Sequence, residues 1–169
     1  MDKLLINPRA LRTRRGAEIK VWLLCEDPVE PSDDQDFSKA VAFVDFFKRH
    51  VTKAAWWDPE KECMIVFCLG RKNRLKCWNL VGLGTATNVL SAPREVFRPA
   101  IVASATAIVL MHNHPSGDPA PSGADISVTR EIRKAAQILG ISFFDHIIVG
   151  NKLNDPKGLG YYSFHAAGF

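Results

Sequence analysis

Long apolar runs and a strong charge of either sign are both missing from this sequence of 169 residues. No stretch approaches the roughly 18 apolar residues of a membrane-spanning helix, and the first residues show no signal-peptide pattern. We therefore expect no membrane partner and a cytoplasmic location. The formal net charge of +4 is too small to indicate nucleic-acid binding by itself.

Cysteine is scarce, and its spacing excludes a disulfide or zinc framework. The four cysteines contain no C-x-x-C pair; they are Cys25, Cys63, Cys68 and Cys77. This pattern predicts reduced, mostly buried thiols, as is usual for a cytoplasmic protein.

A chain of 169 residues with an apolar content of 47% is long enough for one core and too short for two comfortable domains. Apolar spacing predicts strands at 19–25, 62–69, 75–82, 106–111, 141–149 and 161–164, and helices at 37–53, 91–104 and 123–139. Asp36 is placed to cap the first helix. An acidic loop before it, at 26–36, can support no core. The predicted fold class is α/β (α+β), with a mixed β-sheet flanked by helices.

The segment 111–125 contains the most informative pattern: H-x-H, seven residues, S, two residues, D. His112 and His114 are two residues apart, so both imidazoles point to one side of an extended segment. Asp125, on the following predicted helix, can supply a third ligand. Two imidazole nitrogens and one carboxylate oxygen suit zinc, and three protein ligands leave a fourth position for water. The pattern predicts one Zn²⁺ per chain.

The same residues also have a simpler explanation. Ser122 and Asp125 fit the S-x-x-D capping box at a helix start, and a lone surface histidine is usually only polar surface. Prolines and glycines suit any exposed turn. The metal site is favoured because all of these features lie together between a predicted buried strand and a helix.

The motif resembles the JAMM (MPN-plus) metalloprotease motif in the version carried by the RadC family. The matching segments are His112-Asn-His114-Pro-Ser-Gly-Asp-Pro, Pro121-Ser122 followed by Asp125, and Asp-His-Ile-Ile-Val-Gly at 145–150. The asparagine between the histidines favours RadC over the deubiquitinating branch. Residues 62–69 and 93–97 also resemble that family. The resemblance covers about residues 40–168 and implies a JAB/MPN, cytidine-deaminase-like domain over residues 36–169.

The resemblance implies a zinc-dependent metallohydrolase that cleaves peptide or isopeptide bonds of an unidentified peptide or protein substrate. By analogy, His112, His114 and Asp125 bind zinc, Glu62 is the general base, and Ser122 assists at the oxyanion. Zinc would lower the pKa of a bound water to about 7 and polarise the substrate carbonyl.

Two acidic residues compete for the role of general base. Glu62 stands at a strand entrance, where a charged residue is ordinarily just solvated. Glu95 follows a proline at a helix start, where the helix dipole is sufficient to explain it. The family resemblance favours Glu62.

Two polar residues, Asp145 and His146, interrupt the buried-looking strand at 141–149 and therefore need partners. They either orient a metal ligand or satisfy loop backbone. The segments 83–91 and 151–160 are the predicted rims of the site. Three tryptophans, at 56, 57 and 78, belong either to these rims or to the core.

Residues 1–35 are predicted to be a partly flexible extension, basic and then acidic, outside the resemblance. Full-length RadC proteins usually carry a helix-hairpin-helix region before this domain, and nothing here has that pattern. The extension contains a short basic run made of Arg9, Arg12, Arg14, Arg15 and Lys20. Such a run can bind phosphates, although it is more often a solvated arm. Two alternatives to the hydrolase remain: a nucleic-acid-binding accessory protein of repair or recombination, and a catalytically idle MPN interaction module.

Overall fold

Seven strands and three α-helices make up the part of the chain that the structure describes. The computed structural model describes residues 10–12, 18–20, 37–84 and 92–169. In chain order the elements are β1 (Ala10–Arg12), β2 (Glu18–Lys20), α1 (Ala40–Arg49), β3 (Cys63–Leu69), β4 (Leu75–Leu83), α2 (Pro93–Val102), β5 (Ala107–Asn113), α3 (Gly123–Leu139), β6 (Ser142–Val149) and β7 (Tyr161–Ser163). Short 3-10 turns follow α1 and β3, at Val51–Lys53 and Arg71–Asn73.

The last five strands form one mixed sheet in the order β4-β3-β5-β6-β7. Strands β5 and β6 are parallel and are joined by α3, whereas the other neighbours are antiparallel. Strands β1 and β2 pair with each other in a separate two-stranded sheet. All residues of β3 and β5 are buried, as expected for central strands with both faces covered. The mixed sheet with flanking helices confirms the predicted fold class.

The two faces of this sheet pack against different helices. On the α1 face, Phe43 and Phe46 of α1 contact Phe67 of β3 edge-on, with ring centroids 5.2 and 5.5 Å apart. On the α3 face, α2 and α3 pack on the sheet through Phe97 and Ile132, which are both buried. Burial of such large apolar side chains on both faces is the main source of the fold's stability.

The three tryptophans lie in or against the core. Trp78 is 2% exposed and its ring contacts Phe46, with centroids 6.2 Å apart. Trp56 and Trp57 are half-buried and pack against the same α1-face cluster. The tryptophans therefore serve packing on the α1 face, and of the two predicted locations the core is the one observed.

Strand β6 contains one extra residue relative to β5. Ile108 pairs with Phe143, but the next residue of β5, Val109, pairs with Asp145, so Phe144 is unpaired in this register. Such a bulge exchanges the faces of all later residues in the strand. As a result His146 lies beside Leu110 on the α3 face, and Asp145 lies on the α1 face.

The predicted element boundaries are close to those observed, and the larger differences are at α1, β5 and α2. Helix α1 spans Ala40–Arg49 rather than 37–53, because the chain turns into the 3-10 segment after His50. Lys39 is its N-terminal flanking residue and makes no side-chain cap; Asp36, expected to cap it, lies outside the described residues. Strand β5 continues to Asn113, so His112 is inside the strand. Helix α2 is shorter than predicted, at Pro93–Val102.

Other expectations fall partly or wholly outside the described residues. The strand expected at 19–25 is described only as far as Lys20, in β2. The acidic loop at 26–36, most of the basic run and most of the rim at 83–91 are also outside them. The described cysteines, Cys63, Cys68 and Cys77, are buried thiols, as expected. Within the described segments no helix has the length and hydropathy needed to cross a bilayer.

Candidate metal centre

The three predicted metal ligands converge at the junction between β5 and α3. His112 is the penultimate residue of β5, His114 follows the strand, and Asp125 lies in the first turn of α3. His112 is 1% exposed, whereas the other two side chains are each 13% exposed. The centre is thus formed by rigid elements and opens to solvent on the side of His114 and Asp125.

The donor atoms of this triad lie at hydrogen-bond distance from one another. The Nε2 atoms of His112 and His114 are 3.1 Å apart. Asp125 Oδ1 is 3.1 Å from His112 Nε2, and Asp125 Oδ2 is 3.5 Å from His114 Nε2. Tetrahedral zinc with bonds of about 2.0–2.1 Å separates its donors by about 3.3–3.4 Å. The spacing and the chemistry of the three donors therefore fit a zinc ion, and His112, His114 and Asp125 form a candidate metal-binding triad.

The loop between β5 and α3, here called the motif loop, contacts the His114 ring on the side away from the triad. Its Nδ1 lies 2.8 Å from the carbonyl oxygen of Asp118. A carbonyl only accepts hydrogen bonds, so Nδ1 carries a proton and Nε2 of the neutral ring has its lone pair toward the triad. Burial alone would lower the pKa of His114, but hydrogen bonds to Asp125 and Asp118 and the charges of Asp125 and Glu62 outweigh it and raise the pKa.

Asp125 is both a helix cap and a member of the triad. Its Oδ2 accepts hydrogen bonds from the Ser122 backbone N–H and from the Ser122 hydroxyl, at 2.7 and 2.6 Å. The Ser122 oxygen in turn accepts the Asp125 backbone N–H, which completes the predicted capping box. Burial would raise the pKa of Asp125, but hydrogen bonds with His112, His114 and Ser122 hold it well below its usual range.

A second buried histidine lies behind His112. His112 Nδ1 is 2.9 Å from His146 Nε2, and His146 Nδ1 is 2.7 Å from Thr129 Oγ1. His146 is fully buried and stacks on Phe164 with an interplanar angle of 7°. Burial, together with the charge of His112, lowers the pKa of His146 well below its ordinary value. His146 therefore orients a predicted ligand.

The neighbouring residue Asp145 binds loop backbone, which is the other role predicted for Asp145 and His146. Its Oδ2 accepts a hydrogen bond of 2.6 Å from the Ser163 hydroxyl, and its Oδ1 accepts the His165 backbone N–H at 2.9 Å. Burial raises the pKa of Asp145, although these hydrogen bonds oppose the rise. Asp145 therefore holds the backbone that follows β7.

Glu62 lies immediately before β3 and is half-buried. Met64 of β3 pairs with His112 of β5, so Glu62, two residues before Met64, lies at the end of the sheet that carries the triad. Its charge contributes to the raised pKa of His114. Its carbonyl oxygen accepts the Gly84 N–H at 2.8 Å, so the residue after β4 holds it in place. Glu95 instead forms ion pairs with Arg94 and Arg98 at 3.1 and 3.0 Å. The position of Glu95 in the first turn of α2, where an acidic side chain is favoured, is sufficient to explain this residue.

The loop that carries His114 packs closely on the rim predicted at 151–160. The Asn151 N–H donates to the Gly117 carbonyl at 2.6 Å, and Asn154 Nδ2 donates to the Ser116 carbonyl at 2.9 Å. A Cβ atom on Gly150 would collide with the Gly117 carbonyl and would approach Pro119 N to 2.8 Å. Only glycine allows this contact between the two segments.

A family model described as a RadC-like JAB domain matches residues 37–169. The chain belongs to the RadC family. The match starts three residues before α1 and includes the whole five-stranded sheet and the candidate triad.

Several bacterial relatives carry the same RadC-family region. A UPF0758 protein of Geobacter sulfurreducens is 45% identical over 97 residues, covering 57% of this chain and 42% of its own. A UPF0758 protein of Trichlorobacter lovleyi is 39% identical over 132 residues, with 78% and 52% covered. One from Thermotoga maritima is 41% identical over 109 residues, with 64% and 46% covered. This chain spans about half the length of these curated relatives, and their names state no activity.

Two residues of this RadC-family site were not predicted from the sequence. Asn113 accepts the Cys63 N–H at 2.9 Å and donates to the Lys61 carbonyl at 3.0 Å, so it contacts both neighbours of Glu62. Thr129 contacts His146 on the side away from His112. In the sequence, Asn113 served only to distinguish the RadC family from the deubiquitinating branch. Thr129 gave no functional signal, because a β-branched residue on the buried face of a helix is typical of the core.

Proposed function

We propose that this RadC-family chain is a zinc-dependent hydrolase of peptide or isopeptide bonds. The observation that carries the proposal is the convergence of two imidazole nitrogens and one carboxylate oxygen, with Glu62 at the same end of the sheet. Structural zinc sites usually have four protein ligands, whereas three leave a position for a reacting group. The partly exposed edge of the triad, at His114 and Asp125, is the route by which a substrate would reach it.

The residues of the triad would hold the metal through His112 Nε2, His114 Nε2 and one oxygen of Asp125. Zinc at this position would supply Lewis acidity, making a water acidic at neutral pH and polarising a substrate carbonyl. Each of the three side chains has a hydrogen-bonding partner behind it that orients its donor atom toward the shared position. These partners are Asp118, His146 and Ser122.

Glu62 would act as the general base. A carboxylate beside the triad can accept a proton from the attacking water and later transfer it to the departing amine. Its backbone is fixed between Lys61 and Cys63, which Asn113 holds. Burial raises the pKa of the neighbouring Cys63 thiol to about 12, so this thiol stays protonated and does not compete as a nucleophile or ligand.

Ser122 would serve chiefly to hold Asp125. Its single hydroxyl proton is donated to Asp125 Oδ2. To assist at the oxyanion, as the family resemblance implies, the hydroxyl has to turn from Asp125 toward the substrate. The exposed position of Ser122 leaves room for that rotation.

The proposal is tested by loading the full chain with one equivalent of zinc and digesting a mixed peptide library, with products identified by mass spectrometry. The wild type is expected to cleave peptide bonds. Glu62→Gln is expected to keep zinc but to lose about 10²–10⁴-fold in rate, and His114→Ala to lose both zinc and cleavage. Zinc bound without cleavage of peptides or of lysine isopeptide conjugates would overturn the hydrolase and favour an idle interaction module.

A further inference from the structure

Three hydrogen bonds form a buried chain behind the metal-binding triad. The chain runs from His112 Nδ1 to His146 Nε2 (2.9 Å), from His146 Nδ1 to Thr129 Oγ1 (2.7 Å), and from Thr129 Oγ1 to the backbone oxygen of Asp125 (2.6 Å). His112 is 1% exposed, and His146 and Thr129 are fully buried. Both ends of the chain are triad residues.

The acceptor at the last step fixes the direction of every proton in the chain. A carbonyl oxygen only accepts, so the Thr129 hydroxyl donates its one proton to Asp125. Thr129 Oγ1 must then accept from His146 Nδ1–H. The buried His146 ring is neutral, because a charged imidazole without a carboxylate partner would be costly there. Its Nε2 therefore has a lone pair and accepts from His112 Nδ1–H.

We propose that His146 and Thr129 are positioning residues that fix His112 as its Nδ1–H tautomer and so keep its Nε2 lone pair directed at the metal. The inference rests on the proposed function only in requiring that the triad binds zinc. Which imidazole nitrogen binds a metal is set by the hydrogen bond that the other nitrogen makes. Here the Thr129 hydroxyl sets the direction of that hydrogen bond, acting through His146.

The Thr129 hydroxyl is tested by removing it without changing the side-chain shape. In Thr129→Val, His146 Nδ1–H loses its acceptor, so the ring is free to take the Nε2–H tautomer, which would oppose His112 Nδ1–H. Zinc affinity, measured by competition with a chelator, is expected to fall about 10–100-fold. Thr129→Ser keeps the hydroxyl and is expected to bind within about threefold of the wild type.

A control variant removes a different threonine hydroxyl, at the exposed Thr106 immediately before β5. Thr106 Oγ1 donates to the Leu69 carbonyl at 3.3 Å, at the end of β5 opposite the triad. Thr106→Val is expected to bind zinc as the wild type does. Equal zinc affinity in Thr129→Val and wild type, or equal losses in both valine variants, would overturn the inference.

The tautomers can also be read in the wild type, so the test does not depend on how a variant folds. In long-range ¹⁵N–¹H NMR spectra of the zinc-loaded protein, we expect both His112 and His146 to carry their proton on Nδ1. A proton on His146 Nε2 would overturn the inference and leave the hydrolase untouched. A wild type that takes up no zinc would instead overturn the proposed function itself.

Discussion

The side chain of Asn113 holds the peptide groups on both sides of Glu62. Its Oδ1 accepts the Cys63 N–H at 2.9 Å and its Nδ2 donates to the Lys61 carbonyl at 3.0 Å. Because Asn113 lies between the two histidines of the triad, one residue links the metal ligands to the proposed base. The two functions are thus fixed relative to each other through backbone contacts.

Replacing Asn113 should separate catalysis from metal binding. In Asn113→Ala the Glu62 backbone loses both contacts, and the turnover number is expected to fall about 10²-fold, because small misplacements of a reacting group are costly. Zinc affinity should change little, since no triad contact is removed. Loss of the two buried hydrogen bonds should lower the free energy of unfolding by about 1–3 kcal/mol. Peptide cleavage, chelator competition and urea unfolding measure the three quantities.

A companion variant, Asn113→Asp, keeps the acceptor for Cys63 but not the donor to Lys61. Its turnover should lie between those of wild type and Asn113→Ala. An Asn113→Ala protein that loses zinc while still folded would show that the asparagine supports the triad instead.

Gly150→Ala should damage the metal centre through the motif loop. The added methyl would collide with Gly117 and Pro119, whose backbone belongs to the loop that holds His114. We expect a loss of about 1–3 kcal/mol in unfolding free energy and a weaker zinc complex. Thermal melting with and without zinc measures both effects.

Gly123→Ala is the control for this variant. Gly123 also lies beside the site, at the start of α3, but a Cβ there meets nothing within 4 Å. Alanine is expected to keep zinc affinity and to add about 0.5–1 kcal/mol of stability, because glycine is unfavourable in helices. Equal behaviour of the two variants would contradict the steric explanation.

Asp145→Ala should weaken the fold without weakening zinc binding. Asp145 contacts Ser163 and the His165 backbone on the α1 face and makes no contact with the triad. Leaving these buried donors unpaired should cost about 1–3 kcal/mol. If Asp145→Ala weakened zinc binding as much as Thr129→Val does, the separate roles of Asp145 and His146 would be contradicted.

The pairing of Asp125 with His114 should make the stability of the metal-free protein depend on pH. The pKa of Asp125 is lowered from 3.8, so its contribution is present above about pH 3.8 and is lost as pH falls through its folded value. The pKa of His114 is raised from 6.5, so its contribution is complete below pH 6.5 and is lost as pH rises through its folded value. Their shared contribution is therefore largest between about pH 3.8 and 6.5.

The measurement compares wild type with Asp125→Asn in urea and a chelator across this range. The difference in unfolding free energy should be greatest in the acidic window and should decrease above pH 6.5. A difference that grows with pH above 6.5 would contradict the pairing.

Local signals accounted for most of the fold and for the triad. Helix α3 was predicted at its observed bounds, because the capping box at Ser122 and the αL glycine at 140 both mark its ends. The triad was predictable because its three residues lie within one strand, loop and helix start. The end of β5 was predicted two residues too early, since histidine and asparagine are not typical strand residues.

Contacts between distant segments could not be predicted in the same way. Asn113 meets Lys61 and Cys63 only because β3 pairs antiparallel with β5, about 50 residues away along the chain. His146 reaches His112 only because β6 pairs parallel with β5 in a shifted register. A sequence pattern identified His146 as a polar residue in need of a partner, but the register decides which partner it finds.

The extra residue in β6 determines which chemical group lies behind the metal ligand. If Phe144 were paired with Val109 instead, the regular alternation of the strand would turn Asp145 toward the back of His112 and His146 away from it. A slip of one residue would thus exchange an imidazole for a carboxyl group at this position, while the amino-acid sequence of the motif stayed the same. The chemistry of the centre therefore depends on an irregularity of the strand as well as on the residues of the motif.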